Sequence, residues 1–270
     1  MSIFFQTKKQ EKPANVKMGQ IIAIANQKGG VAKTNTTFHL AGALVERGYK
    51  ILLVDADQQG NLSATLLNNI YKLPKTLSNL LLDGTDTQEI IHKTPFDNLH
   101  ILPANPTLSS IDLQLSSEPD AHYLLADKLE NIKNNYHYII IDCPPSLGLA
   151  TRMALVAAEK VIIPIECQEY AIMGSKQLLT AINKIRRRMN PTLDILGYLV
   201  VKYNKRTKLE SQYLKTFRGI YKDQVFKTII HRSIKYAEAV ELGKPITCFL
   251  PHSKYAHAYR KLAEEIINHA

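Results

Sequence analysis

The chain has 270 residues, 45% of them hydrophobic, and a formal charge of +10. That length and apolar content suit one large α/β domain better than two small ones, three scattered cysteines argue against a disulfide framework or a cysteine metal centre, and no apolar run approaches the roughly 18 residues of a membrane span. A reducing cytoplasm is the expected setting, and the positive charge makes nucleic acid the leading partner.

In chain order, Met1 to Met18 is polar, lysine-bearing and aperiodic, so residues 1–18 are expected to be a flexible extension ahead of one domain spanning 19–270. The extension is too short for a helix-turn-helix module. The run Ile21 to Ala25 is short, branched and apolar on both faces, as a strand inside a parallel sheet would be. It meets Lys28-Gly29-Gly30-Val31-Ala32-Lys33-Thr34-Asn35, after which Phe38, Leu40, Ala41, Leu44 and Val45 recur at helical spacing. Two glycines let the backbone turn tightly and offer its N–H groups to an anion at a helix N-terminus. Lys33 would then supply charge to the β- and γ-phosphates of a nucleotide, and Thr34 a hydroxyl for Mg²⁺. The ordinary phosphate-loop pattern is not matched, because Gln27 and Ala32 stand where its glycines belong.

A second strand, Lys50 to Val54, runs into Asp55-Ala56-Asp57-Gln58-Gln59-Gly60-Asn61. Carboxylates at the carboxyl end of a parallel strand beside a phosphate loop lie where a magnesium ion and an attacking water must be arranged. Pro74 to Gly84 reads as a short helix and turn, Leu99 to Pro103 as a third strand, and Ser109 to Leu115 and Ala121 to Ile132 as surface helices. His92, His100 and His122 read as satisfied packing residues. The strand Tyr138 to Ile141 ends in Asp142-Cys143-Pro144-Pro145-Ser146, where Asp142 is placed to hold a water of the Mg²⁺ shell and Cys143 to be a small packing thiol. Lys160 to Ile165 is another buried strand, Ala171 to Met189 a helix closed by Arg186, Arg187 and Arg188 against its dipole, Ile195 to Val201 a strand, and Tyr255 to Ile267 the last helix.

These motifs together resemble the ParA/MinD group of ATPases, whose phosphate loop has the form K-G-G-x-G-K-[ST] and whose later segments read D-x-D-x-Q-G-N and D-x-P-P-S. The resemblance runs from Gly19 across nearly the whole chain. It implies a mostly parallel twisted sheet with helices on both faces, and an Mg-dependent ATP hydrolase, slow and partner-stimulated, that segregates plasmid or chromosome DNA. By resemblance, Asp57 positions the hydrolytic water and contacts the Mg²⁺ shell, with Asp55 in support. Lys28 reaches the phosphates bound in a second subunit of an ATP-bound homodimer, and Pro144, Pro145 and Ser146 sense the γ-phosphate. Asn204 and His231, the latter where a proline is usual, fall at the segments that contact the base. Ala32 and Asn35 depart from the family's glycine and hydroxyl residue, and an alanine forced to positive φ costs roughly 1 kcal/mol or more.

Between Lys184 and Lys261 there are 18 Lys and Arg against 5 Asp and Glu. Such concentration is the electrostatic footprint of phosphate-backbone binding, and without a recognition module it is nonspecific for sequence. Members of the group bind the nucleoid through basic residues of the dimer, and by position Arg232 leads the candidates, followed by Lys202, Arg206, Lys208, Arg218, Lys227 and Lys235. A ParB-like centromere-binding adaptor is the implied partner. Two alternatives stand beside this reading: a nucleotide-holding DNA scaffold without turnover, and a MinD-like protein that cycles on a membrane. The second needs a basic amphipathic last helix, and Leu262 to Ala270 carries Glu264 and Glu265.

Overall fold

A computed structural model describes residues 18–67, 69–168 and 171–269; the expected extension lies outside them except for Met18. Among the described residues eight strands form one sheet: β1 (Gln20–Ile24), β2 (Ile51–Asp55), β3 (His92–Lys93), β4 (Leu99–Leu102), β5 (Tyr138–Asp142), β6 (Lys160–Ile165), β7 (Asp194–Tyr203) and β8 (Val225–His231). Their order is β3-β4-β2-β5-β1-β6-β7-β8. Every neighbouring pair is parallel apart from β3 with β4. The longer helices are α1 (Lys33–Glu46), α2 (Leu124–Glu130), α3 (Leu149–Ala157), α4 (Ala171–Arg188), α5 (Lys208–Tyr221), α6 (Lys235–Glu241) and α7 (Lys254–His269).

The interiors of the central strands β1, β2, β5 and β6 are apolar because both faces of the sheet are covered there. Successive residues alternate between two cores. Ile22, Ile24, Ile51, Leu53 and Ile140 pack with Phe38, Leu40 and Leu44 of α1 and with Tyr259, Leu262 and Ile266 of α7. Ile21, Ala23, Leu52, Val54, Ile139 and Ile141 pack with Met153 and Leu155 of α3, Leu178, Ile182 and Ile185 of α4, and Phe217 of α5. Each such Leu or Ile contributes about 1.5–3 kcal/mol of burial free energy, so the sheet's centre is the rigid part on which the loops depend. The apolar face of α7 is spent on this core, and no described helix is long and apolar enough to cross a membrane.

Several elements differ from expectation. Ser109 to Leu115 is one short turn of helix, Ile111–Gln114, preceded by a 3-10 turn at Pro106–Ser110 that Asn105 initiates by accepting a hydrogen bond from the Thr107 N–H at 3.2 Å. The stretch Ala121 to Ile132 likewise divides into a 3-10 turn and α2. Thr228 to His231, read as part of a loop, belongs to edge strand β8, whose Lys227 and Thr228 N–H groups donate to the Glu265 carboxylate of α7 at 2.7 and 2.8 Å. That pairing covers part of an otherwise open sheet edge. Helix α5, not assigned from the sequence, buries Phe217 against the rings of Tyr198 at 5.3 Å and Tyr221 at 4.5 Å. Arg186 does more than oppose a helix dipole: its Nε donates to the Leu193 carbonyl at 2.7 Å and its Nη2 pairs with Asp194, fixing the start of β7.

His39 of α1 is fully enclosed, with Tyr236 and Tyr259 rings 5.5 and 5.1 Å away, and its Nδ1 accepts a hydrogen bond from the Ile246 N–H at 3.2 Å. Burial pulls its pKa down to about 3. The unfolded chain therefore binds a proton that the folded chain refuses between pH 6.5 and about 3, and stability falls with pH in that window by about 1.4 kcal/mol per unit from this group. Urea unfolding of wild type and His39→Gln at pH 7.5 and 5.5 is expected to show the variant losing less stability on acidification. Parallel losses would overturn the assignment.

Candidate functional site

The carboxyl ends of β1, β5 and β2 lie side by side in register, with Ile24 opposite Asp142 and Asp142 opposite Asp55. The loop after β1 is set by Asn26, whose Nδ2 donates to the Pro164 carbonyl at 2.6 Å and whose Oδ1 accepts from the Lys28 N–H at 2.9 Å. Gly30 has a φ of 75°, and Ala32, immediately before α1, has φ 57° and ψ 33°. The backbone here is the left-handed one the sequence reading feared for an alanine. Lys33 is 7% exposed and its Nζ donates to the Lys28 carbonyl at 3.3 Å, the closed form of a phosphate loop folded round its own lysine. Burial lowers the Lys33 pKa, and Asp142 in turn holds it up.

Asp55 is wholly buried and accepts the Ser63 hydroxyl at 2.7 Å, the Ser63 N–H at 2.8 Å and the Asp57 N–H at 3.2 Å. Burial raises its pKa to about 6 against those bonds. It therefore shapes the Asp57-to-Ser63 turn. Gly60, at φ 62°, packs where an added Cβ would lie 2.7 Å from Ile70. Asp57 is 9% exposed and receives the Gln59 N–H at 3.0 Å.

Asp142 is the strained member. Its Oδ1 accepts from Thr37 Oγ1 at 3.3 Å, while its Oδ2 is buried with no hydrogen-bond partner. Burial, and then the Asp55 carboxylate, push its pKa up to about 8; the Thr34 hydroxyl and Lys33 oppose the rise. A buried orphan carboxylate oxygen beside the Thr34 hydroxyl and the Asp57 carboxylate is a hard-oxygen donor set that fits Mg²⁺. Cys143 is buried, and its thiol is pushed well up by that burial, as suits packing alone. Pro144 is buried whereas Pro145 and Ser146 are exposed. Pro145 faces Gly29 across the cleft, and the Thr151 hydroxyl donates to the Ser146 carbonyl at 2.6 Å, which ties this segment to α3.

A cleft of about 700 Å³ gathers Gly29, Gly30, Ala32, Lys33, Thr34, Asn35, Asp57 and Pro145. It also holds Gln59, Asn61, Val240, Glu241 and Lys202, which the sequence reading did not assign to it. Val31 is buried beneath the loop. Asn204 and His231 come together in a second cleft of about 540 Å³ with Arg206 and Arg232. There the Asn204 N–H donates to Glu210 at 2.7 Å and its Oδ1 accepts from the Arg206 N–H at 3.2 Å.

The basic candidates do not all share one place. Arg206 and Arg232 line the second cleft, Lys208 and Arg218 lie on α5, and Lys227 lies on β8; all five are exposed and without an acidic partner among the described residues. Lys235 opens α6 and pairs with Glu238 at 2.7 Å. Lys202 is apart from them, at the phosphate loop.

A family model described as an AAA domain matches residues 19–195. The sporulation initiation inhibitor protein Soj of Bacillus subtilis is 40% identical over 249 residues, covering 92% of this chain and 98% of that one. The chromosome partitioning protein ParA of Myxococcus xanthus is 38% identical over 250 residues, covering 93% and 88%. Among solved structures, cobyrinic acid a,c-diamide synthase from Mycobacterium smegmatis with bound ADP and magnesium superposes with a TM-score of 0.82 at 34% identity, covering 93% of this chain and 95% of that one.

Two outcomes follow from the geometry. Ala32→Gly relieves left-handed alanine and is expected to raise stability by up to about 1 kcal/mol in urea unfolding; a loss would show that the alanine methyl is needed. Burial raises the Asp142 pKa to about 8, so at pH 7 the fold must protonate a carboxyl that the unfolded chain leaves ionised; Asp142→Asn removes that cost, and thermal melting at pH 7 without metal should rise while any Mg²⁺-induced rise in the melting temperature disappears.

Proposed function

The chain belongs to the ParA/Soj family of partition ATPases, and on that premise we propose that it is a nucleotide-switched ATPase for plasmid or chromosome segregation whose ATP-bound dimer binds nonspecific DNA. The observation that carries the reading is the single cleft in which Lys33, Thr34 and Asp57 meet beside the buried, half-unsatisfied Asp142. In it the N–H groups of the Gly29 to Thr34 loop and the Lys33 ammonium bind the ATP phosphates. Thr34 and Asp142 hold Mg²⁺ and its water shell, and the ion, when bound, neutralises charge that develops on the transferring phosphoryl group. Asp57 orients the water that attacks in line. Asn204 and His231 take the base.

Lys28 is exposed, its Nζ held by Gln168 Oε1 at 2.6 Å in the single chain; on release from Gln168 it reaches the phosphates of a second subunit in an ATP-bound homodimer and completes that site. Pro144, Pro145 and Ser146 change position between the ATP and ADP states and pass the change to α3. Dimerisation joins two basic faces carrying Arg232, Arg206, Lys208, Arg218, Lys227 and Lys235 into one footprint for nonspecific double-stranded DNA. The protein is thereby nucleoid-associated in the cytoplasm until a ParB-like centromere-binding adaptor stimulates slow hydrolysis. The spent apolar face of α7 favours DNA over a membrane as the surface on which the cycle runs.

Binding to nonspecific duplex DNA by mobility shift, with ATP, ADP or no nucleotide, tests the switch. Wild type should bind with ATP alone, Lys28→Ala should not bind, and Arg232→Ala should weaken binding several-fold and flatten its salt dependence. Equal binding in all three conditions would instead make the chain a constitutive scaffold. Phosphate release stimulated by DNA and adaptor, and unaffected by cobyrinic acid, separates this activity from that named for the M. smegmatis protein.

A further inference from the structure

We infer that Lys202 is a positioning residue of the phosphate loop, a tether that holds the Gly30–Val31 peptide in its anion-binding orientation and offsets the alanine at position 32. Lys202, the last residue but one of β7, has a left-handed φ of 53°, which a lysine adopts only where its surroundings impose it. Its Nζ donates to the Gly30 carbonyl and forms an ion pair with Glu166 at 3.2 Å. The Glu166 side chain is 12% exposed and that of Lys202 41%, so the carboxylate is the shielded, fixed end of the pair and Lys202 reaches the loop from it. A trans peptide is planar, with its N–H opposite its C=O. Holding the Gly30 carbonyl on Lys202 therefore also fixes the direction of the Val31 N–H, and with it the shape of the turn that lines the cleft.

The tether continues on the other side of the turn. Glu166 accepts a hydrogen bond from Gln168 Nε2 at 2.9 Å, and Gln168 Oε1 accepts from Lys28 Nζ at 2.6 Å. One chain of side chains from the end of β6 thus grips both flanks of the Gly29–Gly30 turn. Such a turn gains from external support here, because Ala32 supports left-handed backbone less well than glycine would, and Asn26 and Lys33 hold the loop only at its ends. The contact also explains why Lys202 lies away from the exposed cations of the second cleft.

The inference rests on the reading of the cleft as a nucleotide site, and titration of the full-length protein with fluorescent mant-ADP and Mg²⁺ tests both separately. Lys202→Met keeps the aliphatic stem and removes the donor; Lys202→Ala serves as a second variant, and thermal melting confirms that each is folded. Both are expected to weaken mant-ADP binding about fivefold or more beside Ala32, and by less than about twofold in the Ala32→Gly background, because glycine holds the turn unaided. Unchanged affinity of Lys202→Met, or an equal loss in the two backgrounds, would overturn the tether, the latter by showing direct action on the phosphates. Loss of DNA binding with mant-ADP affinity intact would overturn it too and return Lys202 to the DNA surface. Absence of mant-ADP binding by the wild type would remove the nucleotide reading itself.

Discussion

Charge at the carboxyl ends of three adjacent strands is the constraint on which the rest depends. Register puts Asp142 between Ile24 and Asp55, and the loop after β1 brings the buried Lys33 ammonium to the same place. Carboxylates this close and this dry cannot all be satisfied from within the chain. Asp55 is, by Ser63 and the Asp57 N–H; Asp142 is not, and its free oxygen is a standing demand for a cation. The apolar strands below supply the rigidity that keeps the demand unmet, since neither core can shift to bring a new donor. Stability given up at Asp142 is the form in which the fold stores its affinity for metal and nucleotide.

The Pro145 segment is connected to elements beyond the cleft. Pro145 stands across the cleft from Gly29, and the backbone after it is fixed to α3 by Thr151 and by Asp112, which accepts the Leu149 N–H at 2.8 Å at the head of that helix. A shift of Pro145 and Ser146 has a helix to move and a second element, Ile111–Gln114, to register it. On the opposite flank, Glu166 and Gln168 link the loop to the end of β6 through Lys202 and Lys28. The phosphate loop is thus held from two sides of the sheet.

Charge at longer range is organised differently. The basic excess of the last third does not form one patch: Arg260 is occupied by Glu46 at 2.6 Å, Arg186 by Asp194 and Lys235 by Glu238. Arg206, Lys208, Arg218, Lys227 and Arg232 remain exposed near the β7–β8 edge.

The sequence by itself determined the sheet, its central strands and the three motifs, because unbroken branched apolar runs ending in Lys-Gly-Gly, Asp-x-Asp or Asp-x-Pro-Pro leave no other economical placement in a parallel sheet. It marked Ala32 as a departure from glycine that would be costly if the backbone there were left-handed; that the φ is 57° is a fact of the tertiary structure. Only the tertiary structure decided which side chains serve the loop. Lys202, Glu166 and Gln168 lie more than a hundred residues from Gly30 along the chain, and in sequence Lys202 is one cation among many in a basic stretch. Its φ of 53° and its bond to a carbonyl on β1's loop arise from the pairing of β6 with β1 and β7, a nonlocal event that no local pattern encodes. The orphaned oxygen of Asp142 was hidden for the same reason, since whether a buried carboxylate finds a partner depends on every element packed round it.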